Sequence, residues 1–365
     1  VFGPGKVIVF GLIYDRQGNP YSSDPRGILK QYVEALYKKD SITTNISVEC
    51  EGFLVEGINA EQTYISRNGF ELVSSGGYFN SLPNDPLKLF IDRLAEAQRA
   101  LGFENEKDHP EVAPSQFELN YTYCDALIAA DQLQLYKLVA RQVAANMGKT
   151  ACFLPKPIAG INGSGMHCNI SLSKNGKNIF YDAKGEELLS KEAWDFVDRI
   201  LNSANDLCLI LNPSVNAYRR LDPHFEAPNQ IKSSAVDRTS MIRIPLGNDK
   251  SARVEVRTVA PDANPYLSFY SLIHTGLNGP MTEAINSETR RTRTRFLPGN
   301  IYDAIRFFKG SEFITEMLGS ENKEKFAERK LLAAERCPKE LGTLVKTSEI
   351  LFHHEVTNQY IWSQF

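Results

Sequence analysis

The chain has 365 residues with 42% hydrophobic and 23% charged side chains and a formal net charge of −3. That is enough apolar material for a large core, and the charge balance excludes a nucleic-acid footprint. No apolar run reaches the roughly 20 residues that a membrane helix needs. The longest, "VIVFGLIY" over 7–14, is interrupted by a glycine, and no signal peptide is visible. The 6 cysteines are scattered without a C-x-x-C pair, which fits free thiols in a reducing cytoplasm.

Period-2 patterning predicts strands over 6–14, 46–55, 116–123, 166–172, 239–245 and 252–259. Helices are predicted over 24–39, 85–103, 124–148, 191–204, 264–278, 300–318 and 322–336. The first two open on Asp-Pro, with the aspartate as N-cap and the proline in the first turn. Strands and helices alternate irregularly, and the strands are half polar. The expected class is therefore α+β, with helices packed on one side of the sheet and a polar face on the other. The arginine-rich stretch 286–300 reads as a loop with a solvated or subunit-contact surface.

The polar faces hold the chemistry. In "GSGMHCNISL" (163–172), Met166, Cys168, Ile170 and Leu172 point one way and His167, Asn169 and Ser171 the other. Glu49 and Glu51 share a face of "ISVECEGF". Glu118 lies on the strand that follows Glu111. Arg253, Glu255 and Arg257 alternate in "ARVEVRTV", and Arg238 and Arg243 flank an apolar pair. If these faces converge, the carboxylates need cations to remain ionised together. Carboxylate oxygens with one imidazole suit Mg²⁺ or Mn²⁺. Arginines beside such a site suit an anionic substrate and phosphates, and the combination suggests phosphoryl transfer. Neither a P-loop nor G-x-G-x-x-G is present, so a nucleotide would be held by another scheme. His109 either supports the site or caps a loop, and His274, His353 and His354 read as packing or surface residues.

Nearly the whole chain resembles type I glutamine synthetases. The matching stretches include "SSGGYFNSLPNDP", "HPEVAPSQFEL", "NGSGMHCNISL", "NPSVNAYRRL", "FEAP", "DRTSMIRIP" and "RVEVRTVAPDANPYLSF", in the family's order. The resemblance implies a catalytic domain over 1–365 with a curved, largely antiparallel sheet. It also implies an N-terminal β-grasp domain that this chain is expected to lack. Two divalent ions, Mg²⁺ or Mn²⁺, are implied. One would be held by Glu51, Glu111 and Glu118, the other by Glu49, His167 and Glu255. Asn162, Gly163, Arg220 and Arg257 match glutamate-binding positions. Glu226 matches a flap base that deprotonates ammonium, and Tyr78 lines the ammonium site. Arg238, Arg243 and Arg253 match arginines around the transferred phosphate, the last two on the nucleotide side. Glu106, Asn169, Ser171 and Lys250 match nucleotide contacts.

The implied reaction is ATP-dependent ligation of ammonia to the γ-carboxylate of glutamate through a γ-glutamyl phosphate. Alternatives are a γ-glutamyl ligase that uses an organic amine, or a non-catalytic structural or regulatory relative. The family also implies a cytoplasmic homo-oligomer of stacked hexameric rings, with no nucleic-acid or membrane partner. Three positions depart from the family pattern: Asn169 replaces a histidine, Ser115 replaces a glycine, and the flap reads "LDPHFEAP". The family's adenylylated tyrosine region is matched only loosely, around Tyr302.

Overall fold

A computed structural model describes residues 3, 5–64, 69–80, 83–221, 227–281 and 295–341. A ten-stranded sheet organises them. Its longest strand is β1 (Ile42–Glu56). Helix α1 (Pro25–Asp40) precedes it, and α2 (Ala60–Thr63) and α3 (Pro86–Ala100) follow. Next come β2 (Asn105–Pro110), β3 (Gln116–Tyr121), β4 (Cys124–Asp125), α4 (Ala126–Asn146) and β5 (Lys149–Cys152). Then follow β6 (Met166–Lys174), β7 (Lys177–Asn178), α5 (Lys191–Asn202), α6 (Ala204–Leu211) and α7 (Val215–Arg220). The sheet is completed by β8 (Gln230–Ser234), β9 (Ser240–Arg243) and β10 (Val254–Val256), before α8 (Pro265–Asn278). Helices at Ile301–Gly310, Glu312–Leu318 and Ser320–Leu341 follow. None of the described helices is long and apolar enough to cross a membrane.

The main path through the sheet runs β2-β3-β1-β6-β10-β9-β8. Its pairings are antiparallel except β8 with β9. The expected α+β sheet is therefore present, built around β1 and β6. Their register pairs Val48 with Cys168, Glu49 with His167 and Cys50 with Met166. One face of this pair is apolar and closed: Val48, Cys168 and Ile170 are 0% exposed. Helix α4 covers that face, and the Tyr136 hydroxyl donates to the Cys50 carbonyl at 2.9 Å. The other face carries the acidic and imidazole side chains.

Local signals explain the helix starts. The Asp85 carboxylate accepts the Leu87 amide at 2.8 Å, and Asp125 accepts that of Leu127 at 3.0 Å. Each cap satisfies a backbone donor that the first helical turn leaves over.

Several expected boundaries differ. Residues 6–14 form no strand; only Tyr14 bridges Pro20, and Val7 and Val9 are 85% and 81% exposed. Among the described residues, the alternation there finds no neighbouring ladder and packs into no core. The helix expected over 300–318 breaks at Ser311, whose hydroxyl accepts the Ile314 amide at 3.2 Å and starts a second helix. The helix expected over 191–204 ends at Asn202 and α6 follows it directly. The sequence patterning did not anticipate α2, β2, β4, β5, β7, α6, α7 or β8.

Candidate active site and metal centre

Strand register assembles the site. Across β2, β3 and β1, His109 pairs with Glu118 and Glu118 with Glu51. Glu49 pairs with His167, Asn169 with Glu255, and Glu255 with Arg243. These positions share the polar face because side chains alternate along each strand. They open into a cavity of about 520 Å³. Its lining includes all six expected metal residues (Glu49, Glu51, Glu111, Glu118, His167 and Glu255). Tyr78, Asn162, Gly163, Arg220, Arg238, Arg243 and Arg257 line it too.

Among the described residues, two groups of possible ligand atoms form, each with its atoms within 4.8 Å of one another. The first is Glu49, His167 and Glu255, as expected. His167 Nδ1 lies 3.3 Å from Glu49 Oε2 and 3.8 Å from Glu255 Oε1. The second is His109, Glu111 and Glu118. His109 Nδ1 lies 3.7 Å from Glu111 Oε1, and its Nε2 lies 3.6 Å from Glu118 Oε1. Glu51, expected with Glu111 and Glu118, is opposite Glu118 in the register and lines the same cavity, outside both groups at that distance. Its Oε1 is 4.0 Å from His167 Nε2. Its Oε2 accepts the Gly165 amide at 2.7 Å and the Gln116 side chain at 3.2 Å.

The charges are uneven. Burial pushes the Glu49 carboxyl up, but it is outweighed by the bond and charge of His167, the Asn169 amide and Arg243. The result is a carboxyl at about 2. Glu118 is driven well above the ordinary carboxylate range by burial and by Glu51, Glu49 and Glu111. Glu111 is raised by burial and then by Glu51. Glu255 holds two cationic partners: Arg243 donates to Oε2 at 2.7 Å, and Arg257 Nε lies 3.1 Å from Oε1. The deficit of positive charge is therefore on the Glu111–Glu118 side. Hard oxygen donors with imidazole and uncompensated negative charge fit a Mg²⁺- or Mn²⁺-type ion.

The expected glutamate residues Asn162, Gly163, Arg220 and Arg257 all line the cavity. A Cβ on Gly163 would stand 2.5 Å from the Pro155 carbonyl, so only glycine allows this approach. Arg220 is buried and committed to backbone, donating to the carbonyls of Arg257, Thr258 and Val259 at 2.8, 3.0 and 3.3 Å. Tyr78 is 43% exposed at the rim, beside the His109 ring. Glu226 lies outside the described residues.

A second cavity of about 250 Å³ adjoins the first, and Glu49, Lys107 and Asn120 line both. Glu106, Asn169, Ser171, Lys250 and Arg253, all expected nucleotide contacts, line this second cavity. Arg243 lines only the first, next to Glu255.

Sequence reasoning left His109 undecided and assigned no role to Gln116. His109 lies on β2 and Glu111 just past its end, a spacing of two that by itself does not reveal the pairing with Glu118. Ser115 also finds its explanation. Its φ of 63° lies in the left-handed region that glycine prefers. Its hydroxyl accepts the Val73 and Ser74 amides at 2.9 Å each and donates to the Ser74 carbonyl at 3.0 Å.

An open, mostly antiparallel sheet with acidic and imidazole groups on one face and helices on the other has the make-up of a metal-dependent catalytic domain. The family model "Glutamine synthetase, catalytic domain" matches residues 22–342. The glutamine synthetase of Methanosarcina mazei is 36% identical, over 85% of this chain and 71% of that protein. That of Thermus thermophilus is 36% identical, over 87% of this chain and 73% of that one. Among solved structures, a glutamine synthetase of Plasmodium falciparum superposes with a TM-score of 0.79 at 23% identity, covering 92% of this chain and 81% of that one. A GmaS–ADP complex superposes with a TM-score of 0.76 at 28% identity, covering 91% and 78%. The chain belongs to the glutamine synthetase family, through its catalytic domain.

Proposed function

We propose that this protein joins ammonia to the γ-carboxylate of L-glutamate at the expense of ATP, through a γ-glutamyl phosphate. The observation that supports it best is the convergence of two imidazole–carboxylate groups and four arginines on one cavity, with a second cavity beside it.

The roles follow from the chemistry. Glu49, His167 and Glu255 would hold one divalent ion, and Glu51, Glu111 and Glu118 the other, with His109 beside the second. When bound, these ions supply charge neutralisation for the phosphates. Asn162, Gly163, Arg220 and Arg257 would seat glutamate with its γ-carboxylate towards the metal end. Glu106, Asn169, Ser171, Lys250 and Arg253 would seat the nucleotide, and Arg238 and Arg243 would offset charge on the phosphoryl group in transit. The γ-carboxylate oxygen attacks the terminal phosphorus of ATP, the bond to the ADP oxygen breaks, and an acyl phosphate results. Ammonium gives up a proton to Glu226, with Tyr78 at the rim of its site. The free amine then attacks the carbonyl carbon, and phosphate leaves with the carboxylate oxygen.

We read residues 1–365 as one catalytic domain, working in a cytoplasmic homo-oligomer of the stacked hexameric kind. The test is phosphate release from ATP with glutamate and either ammonium or a panel of primary amines, with Mg²⁺ or Mn²⁺ present. Ammonium as the best acceptor supports the proposal. A primary amine that outperforms it at equal free-base concentration makes the protein a γ-glutamyl–amine ligase. No glutamate-dependent release with any acceptor makes it a non-catalytic relative.

A further inference from the structure

We propose that Asn169 is a positioning residue that couples the metal group to the nucleotide cavity. Asn169 sits on β6, two residues after His167, and is 4% exposed. Its Nδ2 donates to Glu49 Oε1 at 3.0 Å, and its Oδ1 accepts Arg253 Nε at 2.9 Å. Only one orientation of the amide satisfies both neighbours, because a carboxylate only accepts and a guanidinium only donates. Glu49 is thereby held at both oxygens, with Oε2 towards His167 and Oε1 on Asn169. Arg253 is anchored in turn to the Ser251 carbonyl at 3.2 Å.

The chain Arg253–Asn169–Glu49–His167 therefore runs from the second cavity into the first. Arg253 belongs to the second cavity, and among the described residues it has no ion pair with Glu49. Asn169 is the direct link. A ligand carboxylate oriented by an outer hydrogen bond loses metal affinity when that bond goes. A nucleotide that draws Arg253 towards its phosphates pulls on the same amide. By reciprocity, whatever the metal does to nucleotide affinity the nucleotide does to metal affinity. An aspartate here could not donate to Glu49, and an aliphatic side chain could do neither job. The proposal rests on the metal and nucleotide assignments above.

The test is a double-mutant cycle read by calorimetric titration with Mn²⁺ alone, on the whole protein without nucleotide. Asn169→Leu keeps the branched heavy-atom shape and removes both bonds. Arg253→Lys keeps the charge and removes the Nε donor. Asn169→Leu is expected to weaken Mn²⁺ binding about tenfold or more. Arg253→Lys is expected to weaken it by less. In the Asn169→Leu background, Arg253→Lys should add no more than about a twofold change, since the link is already cut. Metal-free melting establishes that each variant is folded. If Asn169→Leu melts below the assay temperature, Asn169→Ala takes its place in the cycle. Parent protein that binds Mn²⁺, with an Asn169 variant that binds it equally well or with effects that simply add, overturns the coupling alone. Parent protein that takes up no Mn²⁺ overturns the metal assignment and the proposal with it.

Discussion

Glu49 and His167 face each other as an antiparallel pair across the two central strands, with Oε2 and Nδ1 3.3 Å apart. This pair is the seam of the site. Their flanking residues, Val48, Cys50, Met166 and Cys168, turn into the core and are 0–1% exposed. The same alternation that seals the core thus aims the carboxylate and the imidazole at the cavity. A one-residue slip in this register would exchange the two faces.

Removing a carboxylate from the crowded side should help the metal-free protein and harm the metal-bound one. Glu118 is repelled by Glu51, Glu49 and Glu111. Glu118→Gln is expected to raise metal-free stability by on the order of 1 kcal/mol, and to reduce the rise in Tm produced by Mn²⁺. Melting curves with and without Mn²⁺ check this. An unchanged increment would remove Glu118 from the ligand set.

Away from the site, Asp262 is partly buried, and its Oδ1, closed off from solvent, has no hydrogen-bond partner. Burial pushes its carboxyl up to about 6, against the lowering effect of Ser214, Lys330 and Lys137. Because the folded value exceeds the unfolded one, the folded state binds the proton more tightly. Stability contributed this way is full below about pH 4 and is lost as pH rises through 6. Asp262→Asn should flatten that slope and stabilise the protein at pH 7 by up to a few kcal/mol, on the order of the two-unit shift. Denaturant midpoints between pH 4 and 8 give the answer; parallel curves for parent and variant would contradict it.

Gly163 has no room for a side chain. Its Cβ would press on the Pro155 carbonyl, which accepts the Ser164 amide at 2.7 Å. Gly163→Ala should cost about 1–3 kcal/mol of stability and raise KM for glutamate. Thermal melts and initial rates measure both effects. Normal values for both would place the glutamate pocket elsewhere.

Glu226→Ala separates the two half-reactions. A base needed only after the acyl phosphate has formed is dispensable for forming it. Amide formation should fall by roughly 10²–10⁴-fold, while glutamate-dependent ATP hydrolysis persists relative to it. The ratio of amide formed to phosphate released is the readout. An unchanged ratio assigns the base to another residue.

The strands that carry the site were legible where one face is apolar and closed. Met166 to Leu172 and Val48 to Cys50 show a clean period of two because one face must enter the core. Residues 6–14 show similar alternation without any ladder partner among the described residues, and sequence alone cannot tell the two situations apart. His109 was left open because its place is set by its pairing with Glu118 across two strands, which no local pattern encodes. The special role of Glu51 has the same origin. Its oxygens are divided between the Gly165 amide and the cavity by a contact 114 residues distant in sequence.

The proposed function turns on transfer of the γ-carboxylate oxygen of glutamate to phosphate. Glutamate labelled with ¹⁸O in its γ-carboxylate, turned over with ATP, ammonium and Mg²⁺, tests it most directly. One labelled oxygen is expected in each phosphate released with amide formation, because the acyl phosphate breaks at its carbon–oxygen bond. Amide formed with unlabelled phosphate would contradict it.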